Sequence, residues 1–150
     1  MIAGSPFHRS YKDDIAASAK SFACLDYDGP ATAQTNAFPD RNCPNGLRAQ
    51  IYFPSCWDGV NLESPDQSHV AYPTQTYDNG PCPEGYPVRL ISIFYEITWH
   101  TEQFADMWYG DGQPFVFSFG DPTGYGLHGD FVRLHPHWHP PSSHLEIECY

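Results

Sequence analysis

A glycine-rich stretch late in the chain holds carboxylate and imidazole side chains close together. In "GDPTGYGLHGDF" four glycines allow tight turns and a close backbone approach to a ligand, while Asp121, His128 and Asp130 supply the polar groups. His128 and Asp130 are two residues apart, so in an extended segment they point the same way and suit an acid–base pair or a hard metal ion. Aspartates also cap turns by accepting hydrogen bonds from backbone amides. The catalytic and the structural interpretation both stay open.

A further carboxylate lies in the apolar segment "VRLISIFYEITW". Its alternation predicts a strand with Ile91, Ile93, Tyr95, Ile97 and Trp99 on a core face, and with Glu96 on a second face that lines a cleft. Two carboxyl groups that flank a sugar bond suffice for glycoside hydrolysis. We therefore predict a catalytic set of Glu96, Asp121, His128 and Asp130. The alternative for Glu96 is a half-exposed strand residue that faces water.

Aromatic and imidazole side chains are the candidates for ligand binding, because the apolar faces of aromatic rings suit stacking on sugars. We predict this role for His69, Tyr72, Trp99 and Tyr125. His69 is the second residue of the short run "SHVAYP", where it is expected to face the glycine-rich loop, although a lone histidine is more often a hydrogen-bonded structural residue. The preceding "CWDGV" is better explained by architecture than by chemistry.

The elements that must position these residues are mainly strands. "LRAQIYF" alternates Leu47, Ala49, Ile51 and Phe53 with polar residues, and "PFVFSF" repeats the theme. "SYKDDIAASAK" predicts one short helix capped by Ser10. Long loops without helical insertions favour an antiparallel β-sandwich or jelly-roll-like fold with at most one or two short helices.

The chain length suits one domain. We predict a single β-rich domain over residues 1–132 and an irregular His/Pro-rich tail over 133–150. His135, His137 and His139 alternate in that tail, but we treat any metal affinity there as incidental. No cofactor or metal is predicted.

The net charge of -11 would repel phosphate backbones and anionic lipids, so nucleic acid is excluded as a partner. No apolar run approaches the roughly 20 residues that span a bilayer. The first twenty residues also lack the apolar centre of a secretory signal.

Five widely spaced cysteines without a CxxC pair favour disulfides in an oxidising compartment. Local loops would pair Cys24 with Cys43 and Cys56 with Cys82, although the sequence alone does not determine the connectivity. Each closed loop would contribute about 3 kcal/mol in the chain-entropy model.

Three ordered motifs carry a family resemblance: "CPNGLRAQIYFPSCWDGVNLESPDQSHVAYP", "GYPVRLISIFYEITW" and "FVFSFGDPTGYGLHGDF". Together they resemble DUF1996, a secreted fungal domain family often joined to WSC-type domains thought to bind cell-wall carbohydrate. The resemblance implies an extracellular fungal protein, and a chain that is truncated at its N-terminus relative to the family. It implies no reaction.

Three functions follow as hypotheses. The first is a non-catalytic module that associates with cell-wall or other polysaccharide, and the second is a carbohydrate-active hydrolase or lyase that uses the carboxylate and histidine residues. The third is an inactive fragment of a longer protein. Binding ranks slightly above catalysis, because aromatic loops need no tuned pKa.

Overall fold

Antiparallel strands dominate the computed structural model, which describes residues 1–108 and 112–132. Strands account for 23% and helices for 9%, so the prediction of a mainly β fold with one or two short helices is confirmed. The sheets are not closed. The tail over 133–150 lies outside the described residues, with His135, His137 and His139.

The elements follow one another as short segments joined by long loops. In chain order they are β1 (Ile2–Gly4), α1 (Ile15–Ser18), β2 (Lys20–Cys24), β3 (Leu47–Tyr52), β4 (Cys56–Trp57), β5 (Val70–Ala71), β6 (Val88–Arg89), β7 (Phe94–Trp99), a 3-10 helix (Thr101–Met107) and β8 (His128–Asp130).

The central sheet has the order β2-β3-β7, with both pairs antiparallel. Leu47, Ala49 and Ile51 of β3 are buried, as the alternation predicts, and Phe53 beyond the strand end is buried too. Directly paired residues share a face of a sheet. The inner face therefore packs on the core, while the outer face carries Gln50 and its neighbours.

Two smaller sheets flank this one. β5-β4-β6 forms one of them, and β1 pairs with β8 to form the other. Beyond β1 and β8, the Met1 amino group donates to the Phe131 carbonyl and the Phe131 N–H donates to the Met1 carbonyl at 2.8 Å. Disulfides join Cys24 to Cys43 and Cys56 to Cys82, as the local pairing predicted.

Two strand predictions are wrong in part. "VRLISIFYEITW" forms β6 and β7 with a connection between them that belongs to neither strand, and Ile91 in that connection is 87% exposed. Ile97 pairs with Ala49 on the inner face, but it lies on the edge strand β7 and is 41% exposed, so neither isoleucine is buried as predicted. "PFVFSF" is not a strand. The Gln113 side chain instead bonds the Phe115 backbone and the Pro122 carbonyl, in place of a strand partner.

The first helix is shorter than predicted. Its cap is Asp14 and not Ser10, because Asp14 Oδ1 accepts the Ala17 N–H at 2.7 Å. The 3-10 helix was not predicted. Over residues 1–108 and 112–132, no helix has the length and apolar character that crossing a bilayer requires.

Candidate functional site

Asp121 holds the glycine-rich loop together. Its side chain is 0% exposed, and the backbone N–H and the hydroxyl of Thr123 donate to Oδ1 at 2.8 and 2.6 Å. The Gly126 N–H donates to Oδ2 at 2.7 Å, and Arg9 Nε lies 3.6 Å from Oδ1. Burial alone would raise the pKa of Asp121, but these hydrogen bonds and the Arg9 charge outweigh burial and leave the pKa below its usual value. The arrangement is that of an ionised, turn-stabilising aspartate.

His128 and Asp130 lie on one face of β8, as their spacing predicted. A Cβ at the intervening Gly129 would point at Phe53 and Ile51, so His128 and Asp130 face away from those core residues. His128 Nδ1 lies 2.9 Å from the Gly126 carbonyl, which requires Nδ1 to carry a proton. Asp130 is exposed.

Glu96 lies on the outer face of the central sheet, opposite Gln50. Its side chain is 43% exposed and pairs with Arg48 at 3.3 Å. Leu127, at the end of the glycine-rich loop, packs into the core on the inner face. The sheet therefore separates Glu96 from that loop, and the four residues predicted to be catalytic do not line one common cleft.

Three of the residues predicted to bind a ligand make structural contacts. His69 is buried with its Nδ1 2.8 Å from Ser64 Oγ, inside its own loop. The Tyr72 hydroxyl donates to the Tyr52 carbonyl at 2.8 Å, and burial raises the pKa of Tyr72. Trp99 packs on the core cluster. These contacts hold loops and core in place, whereas Tyr125 has a different position.

Tyr125 lines a cavity of about 120 Å³ between the N-terminal segment, the start of β2 and the glycine-rich loop. Its ring pairs with Tyr11, with centroids 6.4 Å apart. Four ionisable side chains of both signs also line this cavity: His8, Lys12, Asp14 and Lys20. We call this cavity the Tyr125 pocket.

Lys20 is the buried cation of the Tyr125 pocket. It is 7% exposed and its Nζ donates to the Tyr125 carbonyl at 3.1 Å. Burial lowers the pKa of Lys20, with Lys12 adding to this effect and Asp14 and Asp121 opposing it. Burial also lowers the pKa of His8, and the charges of Lys20 and Lys12 lower it further.

Most of this pocket was not predicted from the sequence, because the segment before β2 was assigned to a helix alone. One signal was available: Lys12 and Lys20 are the only lysines of a chain with net charge -11, and His8 precedes them closely.

Residues 1–133 match the family model described as a domain of unknown function, DUF1996. The chain belongs to the DUF1996 family. No curated protein and no solved structure matches it. The matched range includes every residue of the Tyr125 pocket, so the pocket is part of the DUF1996 domain itself.

The chemistry of this DUF1996 domain is therefore judged from its own side chains. Among residues 1–108 and 112–132, no three His, Cys, Asp or Glu residues converge to hold a metal ion. The Tyr125 pocket instead combines ammonium groups with aromatic rings, and Asn36 and Ser10 add neutral hydrogen-bonding groups. Such a mixture suits a polyhydroxylated ligand.

Proposed function

We propose that this DUF1996 domain is an extracellular glycan-binding module whose ligand enters the Tyr125 pocket. The observation that carries the proposal is the meeting of Tyr11 and Tyr125 with polar and charged groups around one cavity. Sugar rings present apolar faces to aromatic side chains and hydroxyl groups to polar ones, so both kinds of contact are needed at the same place.

Binding is favoured over glycoside hydrolysis by the distribution of carboxylates. Hydrolysis of the common kind needs two carboxyl groups that flank the scissile bond. Asp14 is the one carboxylate among the residues that line the pocket, and its Oδ1 already accepts the Ala17 N–H. Asp121 is occupied by its own loop, and Glu96 lies across the sheet.

Lyase chemistry is the second candidate, and one observation favours it. Elimination from a sugar needs a base near neutral pH, and a lysine whose pKa is lowered by burial is suited to that role. Lys20 has this property and lines the pocket. Unsaturated products after incubation with acidic polysaccharides would support a lyase, whereas intact polysaccharide would leave binding alone.

An extracellular location is proposed because two disulfides close loops in this domain. Disulfides of this kind form and persist in oxidising compartments. Polysaccharide of a cell wall is then the glycan that such a module would meet, and association with it is part of the proposal.

The test is binding of the oxidised chain to insoluble cell-wall polysaccharides and to a glycan array. Tyr125→Ala and Tyr11→Ala should each weaken binding about twofold to tenfold, since an aromatic stacking contact contributes about 0.5–1.5 kcal/mol beyond area burial. Tyr27→Ala is the control, because Tyr27 is 75% exposed and does not line the pocket. Equal binding by all three variants, or no binding by the parent chain, would overturn the proposal.

A further inference from the structure

Positive charge is concentrated at the Tyr125 pocket of an otherwise acidic chain. Both lysines of the sequence line it. Arg9 lies between the lining residues His8 and Ser10 in the sequence and pairs with Asp121. Asp14 is the one acid among the lining residues. An anionic ligand that most of this surface would repel therefore meets a local attraction here.

The buried ammonium of Lys20 has unused hydrogen-bonding capacity. A lysine ammonium has three N–H donors. Over residues 1–108 and 112–132, the Tyr125 carbonyl is its one hydrogen-bond acceptor, and no carboxylate lies within 4.0 Å to form a salt bridge. Burying a cation with so few partners is costly unless an anion completes its coordination.

The size of the cavity limits what part of a ligand it can hold. About 120 Å³ is well below the roughly 300–1,000 Å³ of sites that enclose a whole drug-sized ligand. It suits one charged substituent of a sugar, with the ring against Tyr11 and Tyr125 and the rest of the polymer outside.

We propose that the Tyr125 pocket recognises the carboxylate of an acidic sugar, with Lys20 and Lys12 binding the anion. This inference rests on the proposed glycan-binding function and specifies its ligand class. The carboxylate accepts hydrogen bonds from the two remaining Lys20 donors. Lys12, which is exposed, adds attraction at the entrance.

The test compares a galacturonate trisaccharide with its fully methyl-esterified form by calorimetry on the oxidised chain. These probes share ring and linkage and differ in charge. We expect the acidic form to bind at least tenfold more tightly, because a hydrogen bond to a charged group contributes about 1.5–3 kcal/mol. Added salt should weaken this preference for the acidic form, because salt screens the attraction between the exposed Lys12 and the carboxylate.

Variants separate the pocket from a general effect of charge. Lys20→Met preserves length and apolar volume, and Lys12→Met alters an exposed position that does not endanger folding; both should reduce the preference for the acidic form. Arg41→Met removes one positive charge from an exposed site outside the pocket and should leave the preference intact. If Arg41→Met and Lys12→Met act equally, the inference fails.

The remaining outcomes distinguish this inference from the proposed function. Equal affinity for the acidic and esterified forms, or binding only to neutral glycans, would overturn the inference and leave glycan binding standing. Inorganic sulfate that competes as well as the trisaccharide would show a general anion site and overturn recognition of a sugar carboxylate. No binding to any glycan would overturn both.

Discussion

Replacing Asp121 by Asn tests the part of the structure that holds the Tyr125 pocket closed on one side. The substitution preserves shape but converts one carboxylate oxygen into an NH2 group, which cannot accept a hydrogen bond. Thr123 donates twice to Oδ1 and Gly126 donates once to Oδ2, so in either orientation the new NH2 group faces a backbone N–H.

The cost follows from the bonds that are lost. In the less harmful orientation the Gly126 N–H, which is buried, loses its acceptor, and the Thr123 bonds lose the help of a full charge. An unsatisfied buried group costs about 1–3 kcal/mol and a charge-assisted bond contributes about 1.5–3 kcal/mol. The Arg9 side chain is 41% exposed, so solvent screening makes its pairing a minor contribution. We expect Asp121→Asn to lower the free energy of unfolding by about 3 kcal/mol.

Guanidinium denaturation of the oxidised chain, followed by tryptophan fluorescence, provides the measurement. Asp130→Asn is the matched control, because Asp130 is exposed and should change the free energy of unfolding by no more than about 0.5 kcal/mol. If Asp121→Asn destabilises the chain no more than Asp130→Asn does, the Asp121 hydrogen bonds do not hold the loop as described.

The difference in stability between the parent chain and Asp121→Asn should depend on pH. Because the pKa of Asp121 is lowered on folding from 3.8, its stabilising effect is fully present above that pH and is lost as the pH falls through the folded-state value. The difference in stability between the parent chain and Asp121→Asn should therefore be constant at neutral pH and shrink below about pH 3.8. A difference that grows in acid would contradict this sign.

Three other predictions concern the backbone, the disulfides and the pocket. Gly124→Ala should destabilise the chain more than Gly120→Ala in thermal melting. Both glycines have similar positive φ angles, +86° and +84°, but only a Cβ at position 124 would meet backbone, at 2.7 Å from Phe38 N. Equal melting temperatures would contradict this close approach. Peptide mapping without reduction should recover Cys24 joined to Cys43 and Cys56 joined to Cys82, and removing the Cys56 pair by alanine substitution should cost about 3 kcal/mol in urea denaturation; any other pairing would refute the topology. Burial and the charges of Lys20 and Lys12 lower the pKa of His8 from 6.5, while Asp14 opposes them, so His8 gains its charge only below that pH. Affinity for the acidic trisaccharide should therefore rise as the pH falls from 6.5 towards 5, and His8→Gln should abolish this rise.

Strand β3 is an element whose position and buried face could be predicted from the sequence alone. Leu47, Ala49 and Ile51 alternate with more polar residues, and β3 is paired on both sides over a single core, so period and burial agree. The segment around Phe117 has a similar alternation but no strand partner, and its phenylalanine still packs on the core. Alternation thus identifies a buried face without identifying what pairs with the backbone.

The candidate site was predicted less well, because it depends on contacts between distant parts of the chain. Tyr125 was selected for its aromatic ring, but Lys20 contacts it across 105 positions of sequence, and no local pattern reports such a contact. Asp121 illustrates the reverse case. Its loop offered both a catalytic and a capping interpretation, and only the positions of Thr123 and Gly126 show that its oxygens are occupied.

The wall of the Tyr125 pocket includes the segment that follows β1, the start of β2 and the loop that Asp121 holds. That loop contacts the first through the Arg9–Asp121 ion pair and the second through the Lys20–Tyr125 hydrogen bond. Detachment of that loop would erase the pocket at a smaller energetic cost than melting of the central sheet. A ligand bound in the Tyr125 pocket would then oppose detachment of the loop. Amide protons near Gly126 should therefore exchange with deuterium more slowly when the ligand is bound, while those of β3 keep their exchange rate.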